Sequence, residues 1–219
     1  MPLAADATLD EMRLALAPEV ALAAVFDGWT DKAVNAAAAS AGVDPAAARL
    51  AYPGGAMDMI AAWIETVDAR MDAEFADGRL AAMPVRERIR SLVQFRLDQI
   101  RGLEEAISRA LAVQAMPQNA LAALRTCWSS ADRMWRLAGD VSTDYNHYTK
   151  RAILASIYAA TLAVFVNDDS AGKADSRAFL DRRIDGVMRF EKAKARLLGQ
   201  EREHFDLARF LGRLRYPGR

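Results

Sequence analysis

Apolar residues recur close to every 3.6 positions through almost the whole of this 219-residue chain, and runs of β-branched residues are scarce. A half-buried strand needs strict alternation, so the pattern predicts an all-α protein of about ten helices. Punctuation sets their ends. A first helix over 9–26 stops at Asp27-Gly28, and Thr30 opens a second that Gly42 closes after Ala41. Asp44-Pro45 then supplies an N-cap and a first-turn proline for a very short third helix, closed by Pro53-Gly54-Gly55. A long amphipathic helix follows, with Met59, Ile60, Trp63, Ile64, Val67 and Met71 on one side. Pro84, Gly102 and Pro117 each start a further helix, the last running past Trp128 and Trp135 to Gly139. An apolar helix after Asn146, one over 179–196 and one from Glu201 complete the set. The chain divides into a helix-turn-helix-like part over 1–55, a helical domain over 56–199 and a C-terminal amphipathic helix over 200–219.

Charge and rare residues narrow the chemistry. Lys plus Arg number 29, as do Asp plus Glu, so the formal net charge is +0 and the surface as a whole is no electrostatic glove for nucleic acid. Cys127 stands alone, which excludes an intramolecular disulfide or a thiolate metal cluster within one chain and fits a reducing compartment. The chain has no GxSxG, Walker loop or Gly-rich dinucleotide turn. Asp144-x-x-His147 and Glu201-x-x-His204 have carboxylate-histidine ligand spacing, but both sit among polar residues, and we read them as solvated or interface histidines. No catalytic residue, metal or cofactor is therefore expected. The most apolar run, 152–166, is shorter than the ~20 residues that span a bilayer and is expected to be a helix buried on nearly every side. The N-terminus lacks a basic-then-apolar leader and is expected to be structural.

Two segments look outward. From residue 177 onward, Lys plus Arg number 12 against 6 Asp plus Glu, so the chain is electrically polarised. In the last helix Leu207, Phe210, Leu211 and Leu214 fill one arc while Arg202, Arg209 and Arg213 fill the other, the pattern of a helix lying in a membrane interface or docked on its own core. The second segment, 139–151, joins two apolar helices. Ser142, Thr143 and Asp144 are natural caps there, whereas Tyr145, His147 and Tyr148 have the character of partner-surface anchors.

The three short N-terminal helices, with AASAGVDPAAARLAY at their second turn, resemble the helix-turn-helix plan of TetR-type regulators. The recognition position, however, offers three alanines, Arg49, Leu50, Ala51 and Tyr52, with Asp31, Asp44 and Asp58 nearby. That is a poor inventory for base edges and phosphates, and no nucleic-acid partner is expected. A TetR-type regulator sensing an apolar ligand is the competing reading, and it would bind duplex in a salt-sensitive way.

WRLAGDVSTDYNHYTKRAILASIYAATLAVFVNDDS and FLDRRIDGVMRFEKAK, with FDGWT, AYPGGAMDM and MPQN upstream, resemble the Coq-nine family of lipid-binding accessory proteins in ubiquinone biosynthesis. The resemblance implies a TetR-like fold with a vestigial helix-turn-helix, a homodimer, and presentation of isoprenoid quinone precursors to the demethoxyubiquinone hydroxylase. Its partner surface would comprise Met134, Tyr145, Asn146, His147, Tyr148 and Arg151, with Arg151 bracing the junction and His147 standing where the family commonly has tryptophan. An isoprenoid lipid or phospholipid would lie in a tunnel lined by Trp63, Leu124, Trp128, Met134, Ile157, Tyr158, Leu162 and Phe165. The C-terminal helix would rest on the membrane. The absence of a targeting pattern and the excess of 24 Arg over 5 Lys suit a bacterial form, cytoplasmic and peripheral on the inner face of the membrane.

Overall fold

The computed structural model describes residues 6–143 and 145–200. Among them lie nine α-helices and no strand: α1 (Leu9–Asp27), α2 (Asp31–Ala41), α3 (Pro45–Leu50), α4 (Ala56–Glu74), α5 (Val85–Gln99), α6 (Glu104–Gln114), α7 (Ala120–Leu137), α8 (Tyr145–Phe165) and α9 (Ala174–Gln200). The predicted all-α class is what forms. The helix expected from Glu201 lies outside the described residues.

Local chemistry explains most of the ends. Thr8 and Glu11 close a reciprocal capping box on α1, the Thr8 backbone N–H donating to Glu11 Oε2 at 2.9 Å and the Glu11 N–H donating to Thr8 Oγ1 at 3.3 Å. Asp44 accepts from the N–H groups of Ala46 and Ala47, both at 3.3 Å, ahead of Pro45. Gly42 ends α2 at φ 68°, a left-handed conformation that only glycine adopts without steric cost. Two expectations shift. Thr30 makes no cap bond; its hydroxyl donates to the Asp27 carbonyl at 3.1 Å and braces the preceding turn. Pro117 opens a short 3-10 turn (Pro117–Asn119), and α7 starts only at Ala120.

One compact unit covers Met1–Asp181. Within it α1 packs on α2, α4 and α6, and α7 on α8. The Tyr52 hydroxyl joins the N-terminal helices to one another by donating to the Arg13 carbonyl at 2.7 Å, while Trp29 Nε1, donating to the Ala106 carbonyl at 2.9 Å, and Arg13, pairing with Glu65 at 2.8 Å, tie them to the rest. The boundary drawn at residue 55 therefore falls inside a continuous core, because α1 buries Leu16, Val20 and Ala24 against helices from beyond it. The second unit begins at Arg182, and its described part is helical to Gln200.

The apolar run in α8 is not buried on nearly every side. Ala152, Ser156, Ala159 and Ala163 are exposed, while Leu154, Ile157, Tyr158, Thr161 and Phe165 are buried. Alanine raises mean hydropathy but carries little apolar area, so a face of small residues tolerates water. After α8 the chain turns through Asp168, whose carboxylate accepts from the backbone N–H groups of Ser170 (2.9 Å) and Ser176 (2.8 Å) and from both serine hydroxyls at 2.5 Å. Burial opposes its ionisation, but these four donors outweigh it and hold the carboxyl well below the usual carboxylate range. A depressed carboxyl stabilises the fold fully above its unfolded pKa of about 3.9, and that contribution shrinks progressively as pH falls from there through its lower folded value. Asp168→Asn is expected to cost about 1–3 kcal/mol at pH 7. Urea denaturation at pH 7 and pH 3 should show the gap between wild type and variant narrowing in acid.

Candidate functional site

Helices α4, α5, α6, α7 and α8 do not close on one another completely. Between them lies a cavity of about 450 Å³, within the size range of small-molecule sites. Ile60, Trp63, Ile64 and Val67 of α4 form one wall, Ile107, Ala110 and Leu111 of α6 another, and Ala123, Leu124, Cys127 and Ser130 of α7 a third. Tyr158, Ala159 and Leu162 of α8 complete it. Trp63 is fixed from behind by Trp29, with ring centroids 5.6 Å apart. Leu124 is 64% exposed and Leu121, one turn earlier, is 61% exposed, so the α7 side is where the cavity meets solvent.

One charged group enters this apolar lining. Arg96 of α5 is 2% exposed and donates through one terminal nitrogen to Asp68 of α4, itself 4% exposed, and through the other to Ser130 Oγ of α7 at 3.2 Å. Its guanidinium also lies 4.9 Å from the centroid of the Tyr158 ring of α8. Arg133, 4.0 Å from the other Asp68 oxygen, adds positive charge from the outer side while pairing with Asp72 at 2.9 Å. Cys127 is half-buried at the wall, and burial pushes its thiol pKa up, so little of it is thiolate at neutral pH.

Four of the eight residues expected to form a lipid tunnel line the cavity: Trp63, Leu124, Tyr158 and Leu162. Trp128, Met134, Ile157 and Phe165 do not. Met134 and Phe165 are shut into solid packing at 0% and 1% exposure, and a helical face alone cannot distinguish a packed core from a cavity wall. Trp128 instead faces the polar junction, its ring 6.1 Å from that of Tyr148. The sequence reading missed the whole α6 wall, together with Arg96, Ser130 and Cys127. For α6 the apolar spacing of Ile107, Ala110 and Leu111 was available; for the polar three, no signal in the sequence marks them as inward-facing.

The junction between α7 and α8 is a second built feature. Arg151 is 2% exposed, its Nε donating to Asp132 Oδ1 at 2.5 Å and a terminal nitrogen to Asp140 Oδ2 at 3.0 Å and to the His147 carbonyl at 3.1 Å. Asp140 also accepts from Lys150 Nζ at 2.6 Å and Ser142 Oγ at 2.7 Å. Burial opposes the Asp140 charge, but Lys150, Ser142 and Arg151 outweigh it and keep its carboxyl far below the usual range. Trp135 Nε1 closes the joint by donating to the Lys150 carbonyl at 2.9 Å.

Of the expected partner surface, Met134 is corrected, since it is buried; Arg151 is buried too and braces the junction from within, as expected of its position, without meeting a partner directly. Asn146 is exposed and Tyr148 is 62% exposed, its ring meeting that of His147 edge-on at 5.1 Å. His147 Nδ1 lies 2.9 Å from the Ser142 carbonyl, which fixes the ring from behind. The side chain of Tyr145 lies outside the described residues, as do Asp144, Glu201 and His204 and all the membrane-helix candidates, Arg202, Leu207, Arg209, Phe210, Leu211, Arg213 and Leu214. Among the described residues no group of three or more His, Cys, Asp or Glu is placed to hold a metal, and no helix is long and apolar enough to cross a membrane.

This is a TetR-type all-α architecture: a TetR transcriptional regulator from Nitrosomonas europaea superposes with a TM-score of 0.63 at 21% identity, over 80% of this chain and 97% of that one. The sequence profile of the COQ9 family matches residues 120–191, which carry α7, the polar junction and α8. The mitochondrial ubiquinone biosynthesis protein COQ9 of Rattus norvegicus is 34% identical over 74% of this chain and 54% of its own length, and that of Homo sapiens 32% identical over 74% and 52%. Over its matched residues this chain is similar to COQ9 proteins, and it spans about half the length of the curated relatives it matches.

Asp68→Asn would leave Arg96 charged and buried without a counter-ion. A loss of about 3–5 kcal/mol is expected, against less than 1 kcal/mol for Asp72→Asn at the exposed end of the same network. Chemical denaturation of the two variants side by side measures the difference.

Proposed function

We propose that this chain is a non-enzymatic lipid-binding accessory protein of ubiquinone biosynthesis, which holds an isoprenoid quinone precursor and presents it to the demethoxyubiquinone hydroxylase. The observation that supports this most is the cavity itself: a preformed space of about 450 Å³ with aliphatic and aromatic walls, enclosed by the helices that match the COQ9 family and their neighbours. Burying an isoprenoid chain there needs no directional chemistry, since each CH₂ removed from water contributes about 0.8 kcal/mol. Entry past Leu121 and Leu124 keeps the tail in contact with apolar surface while it transfers.

The hydroxylase would dock at the outer face of the α7–α8 junction, through Tyr148, Asn146 and His147, held at a fixed angle by the Arg151, Asp132 and Asp140 network behind them. Exposed aromatics on a rigid base are efficient anchors because little side-chain entropy is lost on docking. In the same reading the chain is a homodimer and its C-terminal helix rests on the cytoplasmic face of the membrane, near the lipid reservoir.

Protein purified without detergent is expected to release close to one isoprenoid quinone or phospholipid per chain on native mass spectrometry with organic extraction. Loading should slow modification of Cys127 by a thiol reagent, and Ala123→Phe, which fills the cavity from the same wall one turn before Cys127, should abolish both effects. Reproducibly lipid-free protein that shifts a DNA duplex at low salt would replace this reading with an apolar-ligand-sensing regulator. Tyr148→Ala should weaken capture by the purified hydroxylase by tenfold or more while lipid content stays unchanged; unchanged capture would remove the junction as the docking face.

A further inference from the structure

The guanidinium of Arg96 has more hydrogen-bonding capacity than the protein uses. One terminal nitrogen serves Asp68 and the other Ser130, while the N–H on Nε is buried and has no hydrogen-bond partner among the protein's own groups. Buried donors are almost always satisfied, and a guanidinium is the group least able to shed its proton to escape the cost. This side chain is 2% exposed, and it is the only charged residue lining the cavity among the described residues.

Three features define what would complete it. The partner must be a hydrogen-bond acceptor, because Arg offers only donors. It must be neutral: the Arg96 charge is already matched by Asp68, so a second anion would place two negative charges around one guanidinium inside an apolar wall. It must also suit aromatic surroundings, since the guanidinium lies 4.9 Å from the centroid of the Tyr158 ring and Trp63 lines the same space.

We infer that Arg96 Nε is the anchor for the head of the bound lipid, donating a hydrogen bond to a carbonyl or ether oxygen of a neutral, planar ring lodged between the Trp63 and Tyr158 walls, with the tail running toward Leu124. This rests on the lipid-binding reading above and adds an orientation to it: head inward against α5, tail toward solvent on the α7 side. Arg96 is thus a positioning residue for the stored ligand, and the ring has to leave it before it can be modified by another protein. An acyl ester carbonyl offers the same acceptor chemistry without the ring.

Isothermal titration of the full chain with four decyl probes separates these cases: a fully substituted dimethoxybenzoquinone, which cannot add to the Cys127 thiol, methyl decanoate, decylbenzene and decyl phosphate. The quinone is expected to bind ten- to a hundredfold more tightly than decylbenzene, the size of one hydrogen bond to a charged donor, and more tightly than decyl phosphate. Arg96→Lys keeps the charge beside Asp68 but deletes Nε, so it should bring the quinone down to the level of decylbenzene while decylbenzene itself is unaffected. Methyl decanoate below the quinone supports the ring, and methyl decanoate above it overturns the ring in favour of an acyl head. Equal binding of quinone and decylbenzene by wild type overturns the anchor and leaves the lipid site standing. No binding of any probe overturns both.

Discussion

Arg96 carries a permanent positive charge to the meeting point of four helices, and most of the arrangement around it follows from the need to neutralise that charge away from water. The ion comes from α5, its counter-ion Asp68 from α4, a hydroxyl from Ser130 on α7 and a ring face from Tyr158 on α8. An unpaired charge at that depth would be prohibitive, so the register of α4 against α5 is not free to slide. Apolar packing would tolerate several relative positions of these helices; the ion pair accepts one. The cavity persists beside it for the same reason. Helices clamped at a polar point cannot collapse inward to fill the space left by Ala110, Ala123 and Ala159.

The other polar clusters have a consistent geography. Asp140, Asp132 and Arg151 lock the entry to α8, and Asp168 with Ser170 and Ser176 locks its exit. Lys173 reinforces the exit by donating to the Asp168 carbonyl at 2.7 Å and pairing with Glu104 of α6 at 3.0 Å. Both ends of the helix that closes the cavity are thus fixed by buried charge-assisted bonds, while its middle presents aromatic and small side chains. A binding space between rigid ends can admit ligands of varied length without losing its shape. The same division makes Tyr148 a surface group on a rigid support, since the residue three positions on, Arg151, is the one that carries the network.

Where sequence reading succeeded and where it failed follows the range of the forces involved. Gly28, Gly42, Asp44-Pro45 and Gly139 mark boundaries correctly because caps and turns are decided within a few residues. Met134 was misplaced on a surface because motif position reveals that residues matter together without revealing which of them faces out. Trp63 and Leu124 were legible as apolar face residues, while Phe165 and Ile157, equally apolar and equally well spaced, turned into core. Arg96 was invisible: in the sequence it is one arginine among 24, on a helix with several.

From the sequence alone came the all-α class, the order and ends of most helices, the absence of the common nucleotide and hydrolase motifs, and the family resemblance, because these depend on local stereochemistry, periodicity and ordered motifs. Only the tertiary structure decided that an empty space remains among α4 to α8, that a single guanidinium enters its wall with one donor unspent, and that the exposed face of the apolar run in α8 is made of small residues. Those are properties of how faces meet. Burial and charge pairing act between residues 28 to 34 positions apart, as Asp68, Arg96 and Ser130 do, and no window on the chain contains the partner that determines each one's role.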